Sequence, residues 1–258
     1  VLDAYSRAFA RPVSEAAGWR GWPRFGPPGS IHTTRYSGVL SGANPSGIAR
    51  KLRLMRCFGL RDFKLKVGLP DDELAMQQAM RILDRSLRRG RVTLRIDANG
   101  AWSAEQASER LRQWQRFALA CVEQPSARGS EDGWPELRRL GVPIMADESL
   151  ILPTDADSLI RSGAVDAFNT RLSKNGGLLP AMRLAGLARQ HGLRYQLGCM
   201  VGETSILSAA GRRFLECVPD VWFAEGSFGR WLLTDDVVAK PVRFGWGGRG
   251  RSLPGLGW

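Results

Sequence analysis

From about residue 60 to residue 226, short apolar runs recur roughly every two dozen residues, separated by segments with the periodicity of amphipathic helices. That alternation is the pattern of βαβ units and constrains the chain to an α/β fold built on parallel strands. The runs are DFKLKVG (62–68), VTLRIDANG (92–100), LACVEQP (119–125), VPIMADES (142–149), VDAFNTR (165–171), YQLGCM (195–200) and VWFAEG (221–226), and TRYSGVL (34–40) makes eight. No glycine-rich dinucleotide fingerprint follows the first of them, which favours a TIM-like (β/α) barrel of about eight parallel strands over an open doubly wound sheet. A chain of 258 residues, 43% of them hydrophobic, is long enough for one such barrel.

The intervening segments carry helix signals. Segment 71–89 opens with Asp71 and Asp72 after Pro70, places Met76, Met80, Leu83 and Leu87 on one face and stops at Gly90. Segment 103–118 opens with Ser103 and has Gln106 three residues on, a capping-box pattern. Further helices are expected over 131–140, 154–162, 178–191 and 203–217. Residues 1–20 read as an amphipathic helix outside the barrel, followed by the connector GWPRFGPPG (21–29), so the division falls near residue 30, with the barrel over 31–258. The chain starts at Val1 and not at Met, which suggests sequence upstream of it.

A formal net charge of +12, spread along the whole chain, implies attraction for anions, either nucleic acid or a carboxylate substrate. GWGGRGR (245–251) has the composition of an RNA-binding Arg-Gly segment, but no repeats accompany it, and a flexible loop at the end of the barrel is the expectation. The nine Trp residues fall mostly where a strand or helix needs a large apolar filler. Cys57, Cys121, Cys199 and Cys217 are too widely spaced for a zinc site, no secretory signal is visible, and no apolar run reaches the roughly 18 residues of a membrane span. A cytoplasmic protein that acts on neither membrane nor nucleic acid is expected.

Four successive strands end in a charged residue. Asp97 to Glu123 is 26 residues, Glu123 to Asp147 is 24 and Asp147 to Arg171 is 24, one βα unit each. In a barrel these ends open on one face, where the three carboxylates would converge and repel one another unless a cation sat among them. Oxygen ligands without His or Cys point to a hard ion, Mg2+. The alternative for each acid is a helix cap or a partner for a surface Arg. One unit earlier, Lys64 and Lys66 lie two residues apart on one face of their strand, while Phe63, Leu65 and Val67 require the other face to be buried. Like charges in proximity, together with partial burial, would make one lysine neutral and basic near neutral pH.

Lys-x-Lys on the second strand, then DAN, EQP and ADES on three successive strands, then a cation before NGG, resembles the enolase superfamily in its muconate-lactonising-enzyme-like branch. The resemblance covers the barrel from about residue 35 to the PGLG near the C-terminus. It implies that residues 1–20 are the last helix of the family's N-terminal capping domain, most of which is missing, and that a separate capping domain or a homo-oligomer would complete the site. It implies Asp97, Glu123 and Asp147 as Mg2+ ligands, with Asn99 and Glu148 supporting them from the same motifs. Lys66 would remove a proton α to the carboxylate of a small substrate, and Lys64 would assist it electrostatically. The resulting enediolate needs a divalent ion to hold its second negative charge. The stretch LGCMVGETSILSAAG (197–211) resembles the substrate-contacting region of dipeptide epimerases and so implicates Cys199, Met200 and Glu203. Glu203 stands one residue beyond the family's position, and a first-turn acid favoured by the helix dipole is the equal alternative.

Members of this branch carry a Lys at the end of the sixth strand and a second Lys three residues later, before Gly-Gly. Alignment on NGG puts Arg171 at the first position and Lys174 at the second, and the strand spacing selects the same residue. Arg171 is therefore expected to point into the barrel mouth opposite Lys66, with Lys174 turned toward the loop. An Arg stays protonated and cannot return a proton. The expectation is one-base elimination or cycloisomerisation, with Arg171 as a fixed positive charge. The alternatives are an amino-acid or dipeptide racemase or epimerase, and an inactive barrel kept as a binding or assembly module.

Overall fold

The computed structural model describes residues 1–13, 15, 35–41, 44–218 and 220–251. The connector over 21–29, most of the expected helix beyond residue 13 and the PGLG stretch lie outside the described residues; within the first segment a helix, α1, spans Leu2–Ala8. The chain divides into two compact units, residues 37–169 and residues 1–36 with 170–258.

The first unit repeats strand and helix in strict order: β1 Gly38–Leu40, α2 Pro45–Cys57, β2 Asp62–Lys66, α3 Asp72–Leu87, β3 Thr93–Asp97, α4 Ala104–Trp114, β4 Val122–Glu123, α5 Trp134–Arg138, β5 Ile144–Ala146, α6 Pro153–Arg161 and β6 Ala167–Thr170. All neighbouring strands here are parallel, with Lys66 opposite Asp97, Asp97 opposite Glu123, Glu123 opposite Met145 and Met145 opposite Ala167. The alternation of β2 and β3 is realised as read: Phe63, Leu65, Leu94 and Ile96 are fully buried with Leu52 of α2 and Met76, Ala79 and Leu83 of α3 in the apolar core. The charged residues between them therefore share the opposite face.

Local chemistry fixes the helix starts. Ser103 accepts from the Gln106 N–H while Gln106 Oε1 accepts from the Ser103 N–H, the reciprocal cap expected from the sequence. At α3 the first helical residue, Asp72, holds the preceding turn: its carboxylate accepts from the Gly68 and Leu69 N–H groups at 2.7 and 2.9 Å. Gly68 stands immediately after β2 with φ +87°, and a Cβ there would lie 2.6 Å from Ala101 Cβ, so only glycine lets the chain leave the strand at that point. Helix α2 was not among the expected elements; Asn44 caps it through Oδ1, with Pro45 in the first turn.

The second unit holds α7 Leu178–Gln190, β7 Arg194–Leu197, α8 Ser205–Cys217 and a short α9 Gly229–Leu232. Seven strands, and not eight, are present among the described residues. VWFAEG is not a continuous strand but pairs alongside β7: Trp222 N–H donates to Tyr195 O, Leu197 N–H to Phe223 O and Glu225 N–H to Leu197 O, and Ala224 is bridged in parallel to Leu197 on one side and Tyr36 on the other. Gly226 at φ +135° and Ser227 at φ +58° turn the backbone out of the extended region directly after Glu225, which ends the pairing. Segment 245–251 packs in place of forming a free Arg-Gly tail. Gly248 O accepts from Tyr36 N–H, and Gly250 abuts the buried Arg212 guanidinium so closely that a Cβ would clash. All four cysteines are free thiols. Among the described residues no helix is long and apolar enough to cross a membrane.

Candidate active site

Lys64, Lys66, Asp97 and Glu123 meet at the C-terminal ends of β2 to β4, and Asp147 follows directly after β5. Lys64, only 2% exposed, reaches Asp97 Oδ2 at 3.1 Å and the Glu123 oxygens at 3.2 and 3.4 Å. Lys66 reaches the same Asp97 oxygen at 2.6 Å and Asn99 Oδ1 at 2.5 Å, and its side chain is 24% exposed. Asp97, Glu123 and Asp147 are all fully buried. Burial works to raise the Asp97 carboxyl, but the ammonium groups of Lys64 and Lys66 overcome it and hold the group well below the usual carboxylate range.

The motifs that flank these acids supply the scaffolding. Asn99 sits at φ +47°, a conformation Asn tolerates; its N–H donates to Asp97 Oδ1 and its Nδ2 to Glu148 Oε1 at 3.0 Å. Gln124, the middle residue of EQP, is buried at φ +40°. Its Oε1 accepts from the Asp147 and Ser149 N–H groups, and its Nε2 donates to Ser126 O and Ser149 Oγ. One side chain thus ties the end of β4 to the ADES turn after β5. Asn169 of β6 donates to Glu123 Oε1 at 2.8 Å. Neither Gln124 nor Asn169 was singled out from sequence, although both lie inside the quoted motifs.

Among the described residues no three His, Cys, Asp or Glu side chains are gathered into a metal cage, and the Lys64 ammonium bridges Asp97 and Glu123. The donor set nonetheless suits a hard divalent ion: three buried carboxylates, no His or Cys, and beside Asp147 a buried Glu148 oxygen, Oε2, that makes no hydrogen bond. Asp97, Glu123 and Asp147 are the residues that would hold it.

The second unit carries the remaining residues. Arg171 is buried, its N–H donates to Asn175 Oδ1 at 2.8 Å, and its Nη1 lies 3.3 Å from Met200 Sδ. Asn175 closes the turn over 172–176, and Gly176 and Gly177, at φ +85° and +101°, lead into α7. Lys174 lies half-buried in that turn, its N–H donating to Arg171 O. Glu203 Oε1 accepts from the Met200 N–H and the Ser173 hydroxyl; burial pushes its carboxyl up, against the opposing effects of those two bonds and of the Arg171 charge. It therefore ties the loop after β7 to the turn after β6. Cys199 is half-buried and Met200 exposed on that loop. Glu203 and the buried Glu225 line one narrow cleft with Tyr36, Leu172, Leu197 and Leu207. Glu225 was not picked out from sequence; its place at the end of the apolar run VWFA was the available signal.

Residues 47–258 match the family described as Enolase C-terminal domain-like. The chain is 35% identical over 177 residues to a hydrophobic dipeptide epimerase of Roseobacter litoralis, covering 68% of this chain and 51% of that protein. It is 30% identical over 248 residues to muconate cycloisomerase 1 of Pseudomonas putida, covering 95% of this chain and 62% of that protein. The chain thus spans about half the length of the first relative and less than two thirds of the second. The solved muconate lactonizing enzyme from Pseudomonas putida superimposes with a TM-score of 0.83 at 29% identity, over 99% of this chain and 69% of that one. A dipeptide epimerase from Enterococcus faecalis, solved with Mg and L-Leu-L-Tyr, shares the fold at a TM-score of 0.85 and 22% identity.

Proposed function

Because the chain belongs to the Enolase C-terminal domain-like family, in the muconate-lactonising branch of the enolase superfamily, we propose that it abstracts a proton α to a carboxylate, with Lys66 as the base. The observation that carries the reading is the pair of lysines on one Asp97 oxygen, at 3.1 and 2.6 Å, amid three buried carboxylates. Lys66 is the one with an exposed face, 24% against 2% for Lys64, which supports giving it the contact with substrate and giving Lys64 the role of fixed charge. A proton taken from carbon would reside on Lys66 Nζ, where the Asp97 and Asn99 oxygens hold the resulting ammonium. Mg2+ bound by Asp97, Glu123 and Asp147 would supply the positive charge that a substrate carboxylate needs as it gains electron density.

Arg171 stays charged under any ordinary condition and serves as a permanent cation, not as a second base. That favours a one-base reaction, an elimination or a cycloisomerisation like that of the muconate enzymes. The second reading is dipeptide epimerisation, favoured by the 35% identity to a hydrophobic dipeptide epimerase, with Lys174 as the remaining titratable cation of the turn. Incubation with Mg2+ and, separately, muconate and hydrophobic dipeptides separates them. Lactone formation with no inversion of any dipeptide supports the first, dipeptide inversion supports the second, and neither reaction under any condition contradicts both.

A further inference from the structure

Lys66 stands at one end of a short polar row. Its Nζ lies 2.6 Å from Asp97 Oδ2 and 2.5 Å from Asn99 Oδ1, and on the far side of that amide Asn99 Nδ2 donates to Glu148 Oε1 at 3.0 Å. The three members come from β2, from the turn after β3 and from the turn after β5. The Asn99 backbone is pinned by its N–H to Asp97 Oδ1 at 3.0 Å, but the residue is exposed. An amide in contact with water has two orientations of nearly equal shape, one with its oxygen toward Lys66 and one with its nitrogen. Glu148 decides between them, because a carboxylate only accepts and so faces Nδ2. Among the described residues the Asn99 amide is the one hydrogen-bond partner of the Glu148 side chain, whose Oε2 makes no bond. A hydrogen-bonded effect of Glu148 on Lys66 therefore passes through Asn99.

We propose that Glu148 is a positioning residue for Lys66: by holding the Asn99 amide with its oxygen toward Nζ, it keeps the lone pair of the base directed at the substrate. The inference rests on the reading of Lys66 as the base. A lysine acting in that role carries two N–H bonds and one lone pair. With Asp97 Oδ2 and Asn99 Oδ1 as acceptors both N–H bonds are taken up, and the lone pair is left for the carbon-bound proton. With the amide turned round, its N–H would donate to that lone pair and block it. Substrate binding does not need this contact, so the expected signature is a lower kcat at an unchanged KM.

The test is exchange of the α-proton with solvent deuterium in saturating Mg2+, with hydrophobic dipeptides and the lactone of muconate as substrates. The proteins are the parent, Glu148→Leu, Glu148→Gln, Asn99→Ala and the double variant Asn99→Ala with Glu148→Leu, each checked for folding by thermal unfolding. Glu148→Leu should lower kcat about tenfold, the scale of one hydrogen bond to a charged group, and leave KM within about twofold of the parent. Glu148→Gln keeps an acceptor for Asn99 Nδ2 and should recover most of that loss. In the Asn99→Ala background Glu148→Leu should cost nothing further, because the amide through which it acts is gone. Where Glu148→Leu does not fold, Glu148→Ala takes its place. Parental kcat in Glu148→Leu overturns the inference and leaves Lys66 as the base. So does a loss in Glu148→Gln equal to that in Glu148→Leu, a loss confined to KM, or an undiminished loss in the Asn99→Ala background. No exchange by the parent with any of these substrates removes the reading of Lys66 itself and the inference with it.

Discussion

Replacing Lys64 by methionine keeps the unbranched apolar stem and deletes one buried charge. The deleted ammonium lies 3.1 Å from Asp97 Oδ2 and 3.2 and 3.4 Å from the two Glu123 oxygens, and all three side chains are essentially sealed from water. At an effective dielectric of about 20, a pair of unit charges about 3 Å apart interacts by about 5 kcal/mol. Burying the lysine costs part of that, so the net loss falls in the range of about 3–5 kcal/mol typical of removing one partner from a buried pair. For a chain of this size that is a fall of roughly 6–20 °C in Tm. Urea unfolding at pH 7 in EDTA, parent against variant, measures it. The depressed Asp97 carboxyl adds a pH signature: its contribution is present above the ordinary carboxylate range and is lost as pH falls through its lowered folded value. The variant should therefore close the gap to the parent as the medium is acidified. A loss below about 1 kcal/mol at pH 7, or a gap that does not narrow in acid, would refute the claim that the Lys64 ammonium holds these two carboxylates.

Glu203→Gln tests the opposite sign: burial raises the Glu203 carboxyl, so the native state is unpenalised below the ordinary carboxylate value and loses stability as pH rises through the raised one. The amide keeps the acceptor for Met200 N–H, so the variant should show a flatter stability-versus-pH curve than the parent, and superimposable curves would contradict the burial argument. Gln124→Ala removes two acceptor and two donor contacts around the ADES turn and should cost about 1–3 kcal/mol by chemical denaturation; a neutral result would mean the turn is held by other contacts. Gly68→Ala places a methyl 2.6 Å from Ala101 Cβ at φ +87°, and a loss of at least about 1 kcal/mol is expected, with an unchanged midpoint counting against the close approach.

The parts of this molecule legible in the sequence are those set by local chemistry. The Ser103–Gln106 cap, the alternation that buries Phe63 and Leu65 while turning Lys64 and Lys66 the other way, and the succession of β2 to β7 follow from side chains a few residues apart. Helix α2 was passed over because Arg50, Lys51, Arg53 and Arg56 dominate its sequence, and among its described side chains only Ile48, Ala49 and Leu52 are buried. The eighth run looked as apolar as the others, but Gly226 and Ser227 end its pairing, and a backbone turn of that kind leaves little trace in hydropathy. The spacing of Asp97, Glu123 and Asp147 located the acids. The bonds of Gln124 to the Asp147 turn and of Asn169 to Glu123 depend instead on strand register, which joins residues 23 and 46 positions apart.

The most direct measurement is exchange of the substrate α-proton with solvent deuterium, followed by NMR in the presence of Mg2+ for the parent and Lys66→Ala. Hydrophobic dipeptides of both configurations at the α-carbon, and the lactone of muconate, are the substrates to be tried. The account predicts exchange by the parent with at least one of them, from one face only, and its disappearance in Lys66→Ala while the variant remains folded. Exchange at the parent's rate in Lys66→Ala, or none in the parent with any of these acids, would contradict it.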